Sequence, residues 1–145
     1  MRFRITLEYD GTGYAGWQLQ SNHDSIQARL ETALARIFGD PIRVHGSGRT
    51  DAGVHALGQV AAFSIPRTMD ATALGRALNA LTPSDIVIRD ITQVAEDFDP
   101  RRDARSRVYE YRVLNRSIPS AFEHRYAWFV KDPLDLNLLD RLAEN

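Results

Sequence analysis

An α+β fold is the class this chain predicts, and three observations carry it. Phe3, Ile5, Leu7 and Tyr9 alternate with Arg4, Thr6 and Glu8, the period-two signature of a half-buried strand. Two longer stretches, around Leu30 and around Leu78, space their apolar residues at the helical interval instead. Turn-forming clusters such as Asp10-Gly11-Thr12-Gly13 and Thr82-Pro83-Ser84-Asp85 separate these runs. With 145 residues and 43% hydrophobic content, the chain can bury an ordinary globular core.

Taken in order, the first strand ends at Asp10, and Tyr14-Ala15-Gly16-Trp17-Gln18 forms an aromatic, glycine-containing loop. A helix follows, capped by Asp24 or Ser25, with Gln27 completing a capping box with Asp24 and Gly39 terminating it. Ile26, Leu30, Leu34, Ile37 and Phe38 share its apolar face. Ile42-Arg43-Val44-His45 reads as a second strand and Val60 to Ile65 as a third. Pro66 and Asp70 precede a second helix with Leu74, Ala77, Leu78 and Leu81 inward, and a fourth strand runs from Ile86 towards Val94. The order β-α-β-β-α-β is the ferredoxin-like plan, one sheet with both helices on one face. It places a first domain over residues 1–95. Residues 96–145 then hold a polar, arginine-rich connection, a strand from Val108 to Leu114 with Tyr109, Tyr111 and Val113 on one face, and a helix opening after Pro133. This strand and helix begin a second half.

Composition excludes several chemistries. Without cysteine there is no disulfide, thiolate metal site or cysteine nucleophile, which is compatible with the cytoplasm. His23, His45 and His124 show no metal-ligand spacing with any carboxylate. No apolar run approaches membrane-spanning length, and Met1-Arg2-Phe3-Arg4-Ile5 begins a strand pattern rather than a signal peptide. A net charge of −1 argues against nonspecific nucleic-acid binding by the chain as a whole. The distribution differs: Arg101, Arg102, Arg105, Arg107, Arg112 and Arg116 face only Asp103 and Glu110. Such a segment can contact several phosphates or can be a solvated surface, and seventeen arginines against one lysine point partly to codon bias.

The densest signal is Gly46-Ser47-Gly48-Arg49-Thr50-Asp51-Ala52-Gly53-Val54-His55-Ala56-Leu57-Gly58-Gln59-Val60. Four glycines surround one arginine and one aspartate between two strands, and Arg49 two residues before Asp51 could hold that carboxylate ionised. The same residues also make ordinary turns with an Arg–Asp stitch. Spacing leaves both readings open.

Gly48-Arg49-Thr50-Asp51-Ala52-Gly53-Val54-His55 followed by Gly58-Gln59-Val60 resembles the active-site motif of the TruA-type tRNA pseudouridine synthases. So do Leu7-Glu8-Tyr9-Asp10-Gly11, Tyr14-Ala15-Gly16-Trp17-Gln18, Ser25-Ile26-Gln27, Asn79-Ala80-Leu81 and Tyr109-Glu110-Tyr111-Arg112 resemble other parts of that family, so that the resemblance covers nearly the whole chain. It implies isomerisation of uridine to pseudouridine in the anticodon arm of tRNA, at positions 38 to 40, with no cofactor and no metal. By resemblance Asp51 is the catalytic aspartate. Arg49 either lowers the pKa of Asp51 or helps displace the target base, and Tyr109 packs against the uracil. Arg101, Arg102 and Arg105 are the phosphate-contact candidates. Trp17 and Tyr14 could stack on RNA or lie in the core, and His55 is expected to pack or hydrogen-bond rather than catalyse.

Where many members read Phe-His-Ala-Arg, this chain has Phe98-Asp99-Pro100-Arg101, which removes the histidine and keeps Arg101. The resembling enzymes are cytoplasmic homodimers whose second half supplies the other wall of the cleft. This chain is therefore expected to correspond to the N-terminal half, which need not turn over alone. A second reading is a non-catalytic module that holds structured RNA, and a third is a scaffold for dimerisation. The absence of an RNP-type aromatic motif counts against sequence-specific single-strand reading.

Overall fold

The computed structural model describes residues 1–143. Along the chain the elements are β1 (Arg2–Tyr9), α1 (Ile26–Phe38), β2 (His45–Gly46), β3 (Ala56–Ser64), α2 (Ala71–Leu81), β4 (Ile86–Val94), β5 (Val113–Asn115), β6 (Trp128–Val130) and α3 (Leu136–Ala143), with a 3-10 turn at Gly11–Gly13. This is a mixed α+β architecture with an antiparallel four-stranded sheet and three helices among the described residues. None of those helices is long and apolar enough to cross a membrane. The chain divides into two compact units, Met1–Arg105 and a second from Ser106 onward, so the arginine-rich turn near residue 100 belongs to the first.

The alternation in β1 is realised in full: Phe3, Ile5, Leu7 and Tyr9 are buried and the residues between them are not. β1 lies at the centre of the sheet, pairing antiparallel with β3 (Phe3 opposite Phe63, Ile5 opposite Ala61) and with β4 (Ile5 opposite Ile91). β2 pairs with the outer side of β3, giving the order β2-β3-β1-β4. One apolar cluster joins the inward residues of β1 to Leu30 and Leu34 of α1, Phe63 of β3, Leu74 and Leu78 of α2, and Ile86 of β4. Each such fully buried side chain contributes about 1.5–3 kcal/mol relative to exposure.

Of the two candidate caps of α1, Ser25 is the one used: its hydroxyl accepts from Ala28 N at 3.3 Å, and Gly39 closes the far end. Asp24 pairs with Arg29 instead. The expected capping box does not form, because the Gln27 amide turns inward to Leu19 N (3.0 Å), Val44 O (3.1 Å) and Glu31 (2.8 Å). α2 starts at Asp70, whose carboxylate accepts from Ala73 N at 2.8 Å.

Two strand boundaries differ from expectation. Ile42 and Val44 are buried and Arg43 and His45 exposed, as alternation requires, yet only His45 and Gly46 pair with a neighbour. β3 begins at Ala56, four residues before Val60, because the end of the glycine loop already pairs with Tyr9.

In the second unit, residues 108–112 form no ladder, and pairing starts at Val113. Alternation assigns faces but cannot supply a partner strand, and among the described residues only Trp128–Val130 does so, in parallel. Nothing in the sequence pattern points to that partner. Asn115 fastens the pair, donating to Val130 O (2.9 Å) and Asp132 O (2.7 Å) and accepting from Leu134 N (3.1 Å). The helix expected after Pro133 is present as α3, and none of its described residues is buried.

Candidate active site

Asp51 sits in the loop between β2 and β3, and the loop is shaped by what it is laid against. Tyr9, the last residue of β1, places its hydroxyl 2.8 Å from Thr50 Oγ1. Trp17 N donates to Thr50 O at 2.9 Å and Gly53 N to Tyr14 O at 3.2 Å. Gly11 N donates to His55 Nδ1 at 3.1 Å. Residues before, after and beyond Asp51 are thus tied to the segment 9–17. Two glycines allow the approach. A Cβ on Gly16 would lie 2.4 Å from Thr50 O, and its φ of +93° is in the left-handed region; one on Gly11 would lie 2.1 Å from Val54 O.

Within the loop, Val54 N donates to Asp51 O at 3.1 Å, closing a turn with Gly53 at φ 77°. Gln59 holds the other limb: its amide accepts from Ser47 Oγ at 2.9 Å and donates to Gly48 O at 2.9 Å. The backbone around Asp51 is therefore well engaged while its side chain stays exposed to solvent. The anchored main chain fixes where the exposed carboxylate is presented.

Tyr9 and Tyr14 are part of this support. Burial raises the Tyr9 pKa, partly offset by the hydrogen bond from Thr50. Burial, together with the 2.7 Å hydrogen bond to Asp85, raises that of Tyr14 further still. Both phenols are neutral at physiological pH and act as hydrogen-bonding struts. Trp17 and Tyr14 belong to the core, so neither offers a ring face for stacking on a base. His55 hydrogen-bonds as expected, through Nδ1, which also lies 3.1 Å from Asp10 Oδ1.

The other sequence candidates are placed as follows. Arg49 and Asp51 are both exposed, and among the described residues no ion pair joins them. Neither the charge pairing expected of Arg49 nor the alternative of an Arg–Asp stitch forms, and the loop is held instead by main-chain and side-chain contacts to segment 9–17. Arg101 donates through Nε to Gly46 O at 3.4 Å, which brings the arginine-rich turn against β2. Arg102 pairs with Asp99 at 3.7 Å, and Arg105 is exposed. Asp99 is a turn-former: its Oδ1 accepts from Arg101 N (2.8 Å) and Arg102 N (3.1 Å). Those backbone bonds, Arg102 first, hold its carboxyl below the ordinary carboxylate range. Tyr109 lies in the second unit, 75% exposed and outside any strand. No cluster of three or more His, Cys, Asp or Glu side chains suited to a metal occurs among the described residues.

Sequence reasoning misses Arg43 and His45. They line one groove with Arg49 and Arg101, although alternation marks them only as outward strand residues. It also misses the engagement of Thr50 by Tyr9, for which no local signal exists, since the partners are 41 positions apart.

Comparison with known proteins matches residues 5–102 to the family model described as tRNA pseudouridine synthase. Among curated relatives, tRNA pseudouridine synthase A of Rhodospirillum rubrum is 48% identical over 145 residues, covering 99% of this chain and 52% of that protein. The Myxococcus xanthus protein of the same name is 48% identical over 142 residues, covering 98% and 54%. That of Geotalea uraniireducens is 42% identical over 144 residues, covering 99% and 59%. The chain thus spans little more than half the length of these relatives. The matched segment runs from β1 through the anchored loop to the Arg101 turn, and on that match the chain belongs to the tRNA pseudouridine synthase family.

Proposed function

We propose that this chain carries the catalytic aspartate, Asp51, of an enzyme that isomerises uridine to pseudouridine in tRNA. The observation that carries the reading is the loop itself: main chain tied at Thr50 and Gly53, side chains tied at Thr50 and His55, and the Asp51 carboxylate left in solvent, inside the segment that matches the family. The reaction breaks the C1′–N1 bond, turns the uracil, and joins C5 to C1′. The C5 proton leaves and N1 gains one, so that atoms and electrons balance without an oxidant or reductant. Asp51 supplies the carboxylate for glycosidic cleavage, Arg49 a cation beside the base, and Tyr109 a ring against the uracil. Arg101, Arg102 and Arg105 are read as phosphate contacts.

The target in the anticodon arm, at positions 38 to 40, together with the homodimer and the cytoplasmic location, rests on the resemblance. The order β2-β3-β1-β4 with antiparallel neighbours throughout supports reading the sheet as ferredoxin-like. We read residues 1–95 as the domain that carries Asp51, and residues 96–145 as the arginine-rich connection, the tyrosine-bearing segment and the start of a second domain.

The test is tritium release from unmodified tRNA labelled at uridine C5, with the C-terminal half of a full-length relative supplied in trans. Asp51→Ala is expected to lower the rate by at least about 10²-fold. An unchanged rate removes Asp51 from the chemistry. RNA binding equal to that of the parent chain, with no release from either protein, favours the non-catalytic module instead.

A further inference from the structure

Two open grooves flank β2 and share a crest formed by Arg43 and His45. The first, of about 390 Å³, is bounded by Arg49 and the Asp99-Pro100-Arg101 turn on the far side. The second, of about 460 Å³, continues to Arg2 and Ser64 at the ends of β1 and β3. Four arginines line the pair against two aspartates, Asp40 and Asp99. One of those acids, Asp99, is turned to backbone N–H groups.

Three of the arginines are held in place before any ligand arrives. Arg43 Nη1 lies 3.3 Å from Glu31 Oε2, and Glu31 Oε1 in turn accepts from Val44 N (3.0 Å) and Gln27 Nε2 (2.8 Å). Arg101 is steadied by Gly46 O at 3.4 Å. Arg2 donates to Phe98 O at 2.7 Å and to Ser64 Oγ at 3.2 Å. Guanidinium groups fixed in this way lose little side-chain freedom on binding an anion and keep donors for it. His45, exposed on the crest, adds a ring nitrogen between the two sides. A single small anion needs one such pocket. Two cationic grooves meeting at a shared crest suit a ligand with charges repeated along a chain.

We propose that the two grooves form one track for the sugar–phosphate backbone of an RNA strand, with Arg43 and Arg101 each contacting a phosphate and His45 on the crest between the grooves. The track is separate in its residues from the Asp51 loop, apart from Arg49, and it rests on the reading that the substrate is RNA. It adds Arg43 and His45 to the binding surface, while Arg102 and Arg105, the other phosphate-contact candidates, do not line the two grooves.

The experiment is equilibrium binding of an unmodified tRNA transcript to the 145-residue chain across a salt series, for the parent, Arg43→Gln, Arg101→Gln and the double variant. Arg76→Gln, on the exposed side of α2 and outside both grooves, controls for equal loss of charge. Each groove variant is expected to bind more weakly and to lower the slope of log K against log salt by about 0.7–0.9, and the double variant by about twice that. Slopes equal to that of Arg76→Gln overturn the proposal, as does absence of binding by the parent at about 50 mM salt. Displacement of the RNA by polyglutamate at equal charge concentration also overturns it, since the surface would then have no preference for phosphodiesters. Unchanged circular dichroism and melting of each variant separate a lost contact from a lost fold. The tritium assay of Asp51→Ala is independent: Asp51-dependent turnover with unaltered slopes sinks the track alone, and altered slopes without turnover sink the isomerase alone.

Discussion

Gly16 has a larger part in shaping the site than its size suggests. Its left-handed φ and the 2.4 Å approach of Thr50 O to a hypothetical Cβ both oppose any side chain, and the obstructing atom is backbone that cannot rotate away. Gly16→Ala is expected to destabilise the chain by about 2–4 kcal/mol in urea titration, from overpacking plus left-handed strain. Gly13→Ala serves as the contrast, because nothing lies within 4 Å of a Cβ there. It should shift the midpoint only slightly. Equal losses at the two positions would show that segment 9–17 is not the mould of the Asp51 loop. The glycines of the Asp51 motif are conspicuous in the sequence and mark the loop, while the resemblance singles out Asp51. What forces Gly16 is not visible there, because its constraint comes from Thr50, which is remote in the chain.

At the scale of elements, β4 is an edge strand, and Asn79 of α2 closes part of it. The Asn79 amide donates to Ile88 O at 2.9 Å and accepts from Ile88 N at 2.7 Å, the pair of bonds a further strand would otherwise make. Asn79→Ala leaves both backbone groups without this partner, and we expect it to cost about 1–3 kcal/mol by thermal or urea unfolding. Asn79→Asp, which keeps the acceptor and loses the donor, should fall between Ala and the parent. A neutral Asn79→Ala would mean that water replaces the bracket at no cost. β1, α1, α2 and β4 are legible from periodicity because their partners bury one face and leave the other wet. The extents of β2 and of the run from Val108 to Arg112 are not, because a ladder depends on an available neighbour as well as on alternation. The Arg101 turn is legible as basic. Its attachment to Gly46, and with it the sorting of Arg101 from Arg102 and Arg105, arises from tertiary contact.

The whole molecule divides its stabilising interactions unevenly. The first unit holds the continuous apolar cluster, and the second, from Ser106 onward, exposes Tyr111, Phe122, Trp128 and the leucines of α3. The chain's two tryptophans fall one in each unit and in opposite surroundings: Trp17 is 2% exposed and Trp128 is 66% exposed. Trp17 donates its backbone N–H to Thr50 O, next to Asp51, and its ring lies 6.3 Å from that of Tyr9. The protein therefore contains an optical reporter of its own Asp51 loop. Iodide should quench the red-shifted emission of Trp128 and leave the blue emission of Trp17, whose later shift to the red on heating would time the moment at which the loop lifts from its seat. Emission that iodide quenches uniformly would mean that Trp17 is already in water and the loop already loose.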